Sequence, residues 1–293
     1  MPSLQARFLN PIVRFLVKRR EWGRDEYELA RLARRTFGSP RIARKLAGRL
    51  VNISFVDNGV RGEWLRPKTA PRNAAILYIH GGGFVSCSAA THRPISAAIA
   101  RMSSIPVFAV NYRLAPEDRF PAALDDVHAA YKWLIDQGQN RPIAIVGDSA
   151  GGGLTLSLLL RLRDEGGPMP ACAVCFSPWT DLTVSGQSGV DNSEKCQMFF
   201  RENCVQFARA YVRNEEQALD PLVSPVFAEF NDLPPILLQV GSTEVLVDDS
   251  RRIHDKIQAA GGTSELEIYD EVFHCWQMES GSSPRHAARS KAP

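Results

Sequence analysis

Short apolar runs bounded by turns recur along the chain from about residue 51. Residues 74–80 (AAILYIH), 105–112 (IPVFAVNY), 142–147 (PIAIVG), 171–178 (ACAVCFSP), 234–241 (PPILLQVG) and 264–270 (SELEIYD) each read as a buried strand. Helical stretches separate them at 121–136, 150–165 and 248–260. Strands alternating with helices predict an α/β fold, a mostly parallel sheet covered on both faces.

Two regions break this alternation. In residues 1–50, Leu29, Leu32, Ala33 and Phe37 fit one helical stripe, and Ile42, Leu46 and Leu50 fit another. Between Asp181 and Asp220 no strand is predicted. Gly186–Ser193 is loop-like, and Phe200, Cys204, Phe207, Ala208 and Tyr211 then repeat at helical spacing. Together the two regions predict a helical cap over one end of the sheet. The chain thus divides into cap helices (1–50), a first core part (51–184), a cap insertion (185–220) and a second core part (221–278). Residues 279–293 form a disordered or altered tail. No internal repeat is apparent.

Composition adds few constraints. The 293 residues are 44% apolar and 23% charged, ordinary for a globular protein. The net charge of +3 is unevenly spread, because residues 1–50 hold 13 Lys/Arg against 4 acids. The basic residues alternate with apolar ones at helical spacing, so a solvated outer face is the first expectation. Peripheral contact with an anionic membrane surface is the alternative, and nucleic acid is not an expected partner. No run of 18 apolar residues is present, which predicts no transmembrane helix. Pro11 and Arg14 interrupt the apolar run Phe8–Val17, so no signal peptide is read and a cytoplasmic location is expected. Cys172-x-x-Cys175 has metal-ligand spacing, but it lies within an apolar strand with no second pair. Ordinary thiols and no metal are expected.

The chemistry concentrates at Gly147-Asp148-Ser149-Ala150-Gly151. This G-x-S-x-G follows an apolar strand and opens an apolar helix, the context of a nucleophile elbow. Ser149 then needs a positioned base. Of the three histidines downstream, His254 is mid-helix and His286 lies in the polar tail. His274 follows the last predicted strand and is the candidate general base. Upstream, His80-Gly81-Gly82-Gly83-Phe84 follows a strand and presents unobstructed backbone N–H groups. With the N–H of Ala150 it reads as an oxyanion hole. For the acid, Glu244 lies three residues past a strand end, whereas Asp248 and Asp249 open the next helix. Glu244 is favoured and Asp248 is the alternative.

HGGGF, NYRLAPEDRFPAALDDV and GDSAGG resemble the hormone-sensitive lipase family of α/β-hydrolase esterases, particularly its bacterial members, over residues 51–278. The resemblance implies an eight-stranded sheet, a helical cap, no cofactor, and hydrolysis of short- to medium-chain carboxylic esters. It implies oxyanion donors at Gly82 and Gly83, and structural roles for Asp125-Asp126 and Pro116-Glu117. Phe84, Trp179, Met198 and Phe199 are expected near the small-molecule substrate.

Two departures stand out. The family's acid usually sits in Asp-Pro-Leu-x-Asp, and here the segment is Glu244-Val245-Leu246-Val247-Asp248. After His274 the family continues into an amphipathic helix, whereas ESGSSPRHAARSKAP is too polar to pack as one. That loss is expected to weaken the packing behind the base. A non-catalytic binding protein on the same fold, and a hydrolase of lactones or amides, are the other readings. A homodimer through the edge strand SELEIYD is also expected to be accessible.

Overall fold

The computed structural model describes residues 10–18, 21–38, 40–69, 73–138, 141–278 and 289–290. Its centre is one sheet with strand order β1-β2-β4-β3-β5-β6-β7-β8-β9. In chain order the elements are a π-helical turn α1 (Arg14–Lys18), α2 (Glu26–Thr36), α3 (Arg41–Gly48), β1 (Val51–Asp57), β2 (Arg61–Pro67), β3 (Ala75–Ile79), α4 (Arg93–Ser103) and β4 (Val107–Val110). There follow α5 (Ala122–Gly138), β5 (Ile143–Asp148), α6 (Ala150–Asp164), β6 (Cys172–Phe176), α7 (Ser188–Asp191), α8 (Arg201–Tyr211), β7 (Ile236–Gly241), α9 (Val247–Ala259), β8 (Ser264–Tyr269) and β9 (Arg289–Ser290). Strands β3 to β8 are parallel, while β2 runs antiparallel to both β1 and β4.

The central strands β3, β4 and β5 are buried on both faces, which is why they read as continuous apolar runs. In β3, Leu77 and Ile79 enter one core cluster, with Tyr131 of α5 and Leu158 of α6. Ile76 and Tyr78 enter the other, with Ile95 and Ala97 of α4. The carboxylates expected to be structural brace the helices. Arg161 bonds Asp125 (2.6 Å), Arg113 bonds Asp126 (2.8 Å) and Arg34 bonds Glu117 (2.6 Å).

Five elements differ from the sequence reading: β1, β2, α4, α7 and β9. The hairpin β1–β2 and helix α4 were not among the predicted elements. β1 is an edge strand with an alternating, largely exposed pattern, and the buried face of α4 is mainly alanine. Gly186–Ser193, read as a loop, contains the single turn α7. The tail, read as disordered, contributes β9, whose Ser290 and Arg289 pair with Ile268 and Tyr269 of β8. That short strand makes a ninth and pairs with the last two residues of β8, the strand on which dimer pairing was expected. Residues 279–288 and 291–293 lie outside the described residues.

The N-terminal helices meet the segment between β6 and β7 through aromatic packing and one buried cation. Trp22 stacks on Phe37 at 5.0 Å, and Phe207 of α8 meets Trp22 edge-on at 5.4 Å. Lys18 Nζ donates to the carbonyls of Ser193 (2.5 Å), Glu194 (2.8 Å) and Cys196 (2.9 Å). Those bonds fasten α1 to the insertion.

Candidate active site

The C-terminal ends of neighbouring strands bring the predicted residues together, where ligands bind on open α/β sheets. β3 leads into His80–Ser86, β5 into Ser149, β6 into Ser177, β7 into Glu244 and β8 into His274. These strands lie side by side, so segments far apart in sequence share one rim.

Ser149 sits at the turn between β5 and α6 with φ 53° and ψ −122°. A positive φ in a non-glycine residue is strained and persists only when its surroundings enforce it. Here the Ser149 N–H donates to Phe176 O (2.8 Å), and its carbonyl accepts from Gly153 N (3.1 Å) and Trp179 N (3.0 Å). At Gly151 any Cβ would collide with the Ile79 carbonyl oxygen, so α6 approaches β3 this closely only with glycine there.

Beside it, Gly82 (φ 112°) and Gly83 (φ 63°) turn the loop after β3. Asp148 anchors that loop, accepting from Gly81 N–H (3.1 Å) and Tyr78 OH (2.6 Å), with His92 Nε2 3.3 Å from its other oxygen. Burial alone would raise the Asp148 carboxyl, but His92, Tyr78 and His80 hold it below the usual range. His80 donates from Nδ1 to Gly81 O (2.8 Å) and stacks on Tyr112. Burial and neighbouring His92 lower its pKa to about 3, so it stays neutral.

His274 and Glu244 are both buried. His274 Nδ1 donates to Glu244 Oε2 at 2.5 Å. The second carboxylate oxygen, Oε1, accepts from Ser177 OH (2.7 Å) and Gly241 N–H (2.6 Å). With Nδ1 committed to Glu244, Nε2 carries the free lone pair, and it has no hydrogen-bond partner among the described residues. Asp248 is engaged elsewhere: it accepts from Ser188 N–H (2.7 Å) and pairs with Arg251 (3.1 Å). Asp249 accepts from the N–H groups of Thr180 (2.6 Å) and Asp181 (2.9 Å).

Ser149, His274, Gly82 and Gly83 line one cavity of about 250 Å³. Its wall is largely apolar, with Trp179, Met198, Phe199, Phe207 and Leu246 prominent. The geometry combines a hydroxyl, an imidazole bonded to a carboxylate, a glycine turn and an apolar chamber.

The α/β hydrolase fold family matches residues 76–278. An acetyl-hydrolase of Streptomyces hygroscopicus is 39% identical over 73% of this chain and 71% of its own length. An esterase of Acinetobacter venetianus is 36% identical over 75% and 73%. Among solved structures, EstE5 soaked with p-nitrophenyl butyrate superposes with a TM-score of 0.86 at 36% identity, covering 97% of this chain and 94% of that one. An esterase of the bacterial hormone-sensitive lipase family superposes at 0.84 and 33% identity, covering 98% and 94%. The chain belongs to the bacterial hormone-sensitive lipase family of carboxylic ester hydrolases.

Within this family frame, three of the four expected pocket residues, Trp179, Met198 and Phe199, line the cavity. Phe84 does not. It is buried, with its ring stacked on Tyr211 at 3.9 Å, and so joins the loop after β3 to α8. Sequence reasoning missed the wall contributed by Val13, Val17 and Phe37 from the N-terminal region, and by Cys87 and Cys275. The apolar stripe that includes Phe37 was visible, but nothing local said that Phe37 faces a cavity. Ser177 was also missed; its hydroxyl reaches Glu244 only because β6 lies beside β7. The six cysteines are free thiols. Among the described residues, no helix is long and apolar enough to cross a membrane.

Proposed function

We propose that the chain hydrolyses short- to medium-chain carboxylic esters through an acyl-enzyme on Ser149, with Glu244 as the triad acid. The observation that carries this reading is the 2.5 Å bond from His274 Nδ1 to Glu244, on the rim of the cavity that Ser149 lines. In this reading Ser149 Oγ attacks the acyl carbonyl while His274 Nε2 takes its proton. Glu244 stabilises the imidazolium. The N–H groups of Gly82, Gly83 and Ala150 hold the oxyanion. Each such donor contributes about 2.7–4 kcal/mol to the transition state. His274 then protonates the departing alcohol. A water deprotonated by the same nitrogen hydrolyses the acyl-serine.

The cavity volume supports a short to medium acyl group, being near the lower end of small-molecule sites at about 300 Å³. The apolar walls support an alkyl chain over a charged one. The test is a p-nitrophenyl ester series of increasing acyl length, run with organophosphate labelling and peptide mass mapping. A rate maximum at short to medium chains, with the label on Ser149, is expected. Full turnover in Ser149→Ala, or a label on another residue, rejects the proposal.

A further inference from the structure

Helix α3 turns its apolar stripe outward. The sequence pattern suggested that Ile42, Leu46 and Leu50 form a packing face, yet they are 71%, 53% and 49% exposed. The only fully buried residue of α3 is Ala47. One position earlier in each turn, Arg41, Lys45 and Arg49 are exposed as well and form a parallel basic stripe. None of the three takes part in an ion pair among the described residues. Helix α4, which packs against α3, adds exposed Arg101 and Met102 near its C-terminal end.

The chain around α3 is predominantly basic. Between Glu28 and Glu117 there are fourteen Lys/Arg and two carboxylates. Both carboxylates are already paired, Asp57 with Arg61 (3.2 Å) and Glu63 with Arg93 (2.6 Å).

We propose that the α3 face docks on an anionic lipid–water interface. The apolar stripe enters the acyl boundary, while the neighbouring cations meet the headgroup phosphates. Each alternative partner satisfies only half of the surface. A second copy docking α3 on α3 would set the basic stripes against each other. A nucleic acid would take the cations and leave the apolar stripe in water. Docking would also bring the chamber close to the lipid, because Gly38 and Pro40, just before α3, line it.

The test is sedimentation of the full chain with mixed phosphatidylcholine–phosphatidylglycerol vesicles and with phosphatidylcholine alone. Binding to the anionic vesicles, weakened by salt, is expected. The triple variant Arg41→Gln, Lys45→Gln, Arg49→Gln should lose about a hundredfold in partitioning. Ile42→Ser, Leu46→Ser, Leu50→Ser should abolish vesicle binding and leave hydrolysis of soluble p-nitrophenyl acetate unchanged. Binding is read directly, so this result stands apart from the ester chemistry proposed for Ser149. No sedimentation with anionic vesicles, or sedimentation indifferent to both triple variants, overturns the proposal. So does a dimer in ultracentrifugation that the serine variant converts to monomer, or DNA retention without vesicle binding.

Discussion

The 2.5 Å contact of Glu244 with His274 separates three carboxylates that lie close together in sequence. Asp248 holds Ser188 and Arg251, and Asp249 holds the backbone after β6. Glu244→Ala should therefore lower kcat by about 10³- to 10⁴-fold, by analogy with loss of the acid in serine-protease triads. Asp248→Asn should keep turnover near wild type and lose about 1 kcal/mol of stability. Steady-state kinetics with denaturant unfolding reads both, and the reverse pattern would move the acid to Asp248. Ser177 sharpens the point. Its hydroxyl donates to Glu244 Oε1, and its oxygen also accepts from Cys275 N–H at 3.4 Å. Removing a hydrogen bond to a charged group amounts to about 1.5–3 kcal/mol, so Ser177→Ala should lower kcat roughly 10- to 100-fold. KM should change little, because Ser177 does not line the cavity.

At the scale of elements, much of the fold could be read from local pattern. Six predicted strands and three predicted helices appear with shifts of a few residues, because a two-faced parallel sheet imposes long apolar runs. The hairpin β1–β2 was not legible. Its exposed edge makes few demands on side chains, and its pairing register is set by the partner strand. Nor could the direction of a stripe be read. Phe207 turns into the chamber, whereas Leu46 turns to solvent. Lys18 shows the same gap. In sequence it is one of many N-terminal cations, yet in the fold it is buried and donates to three carbonyls. Burial and nearby Arg14 lower its pKa, but the ring of carbonyls keeps all three protons engaged. Lys18→Met should detach α1 from the insertion. The expected result is a raised KM for longer acyl chains with a smaller change in kcat, because Val13 and Val17 then leave the chamber wall. An unchanged chain-length profile would count against the clamp.

For the whole molecule, two buried groups shape stability against pH. Burial and neighbouring Asp181 push the Asp249 carboxyl up to about 8, against the donors of Thr180 and Asp181. The folded chain keeps this proton across pH 4–8 while the unfolded chain sheds it, so its contribution falls as pH rises through that window. His80, lowered to about 3, acts oppositely: its contribution is present above pH 6.5 and is lost as pH falls. Of these two, only Asp249 acts between pH 6.5 and 8. Tm should decline over that interval, and Asp249→Asn should flatten the decline in a calorimetric pH series. An identical slope in the variant would show that Asp249 is not its source. From sequence alone came the α/β class, the tight turn at Ser149, the glycine loop, and His274 and Glu244 as candidate base and acid. Each rests on a local requirement, whether a period, a strained turn or a residue type. The tertiary structure decided which carboxylate meets the imidazole, that Ser177 supports it and that Phe84 packs on α8. It also decided that Ile42, Leu46 and Leu50 face outward. Those outcomes depend on which strands become neighbours and which helix faces find partners, and such contacts join residues too distant in the chain for a local pattern to record.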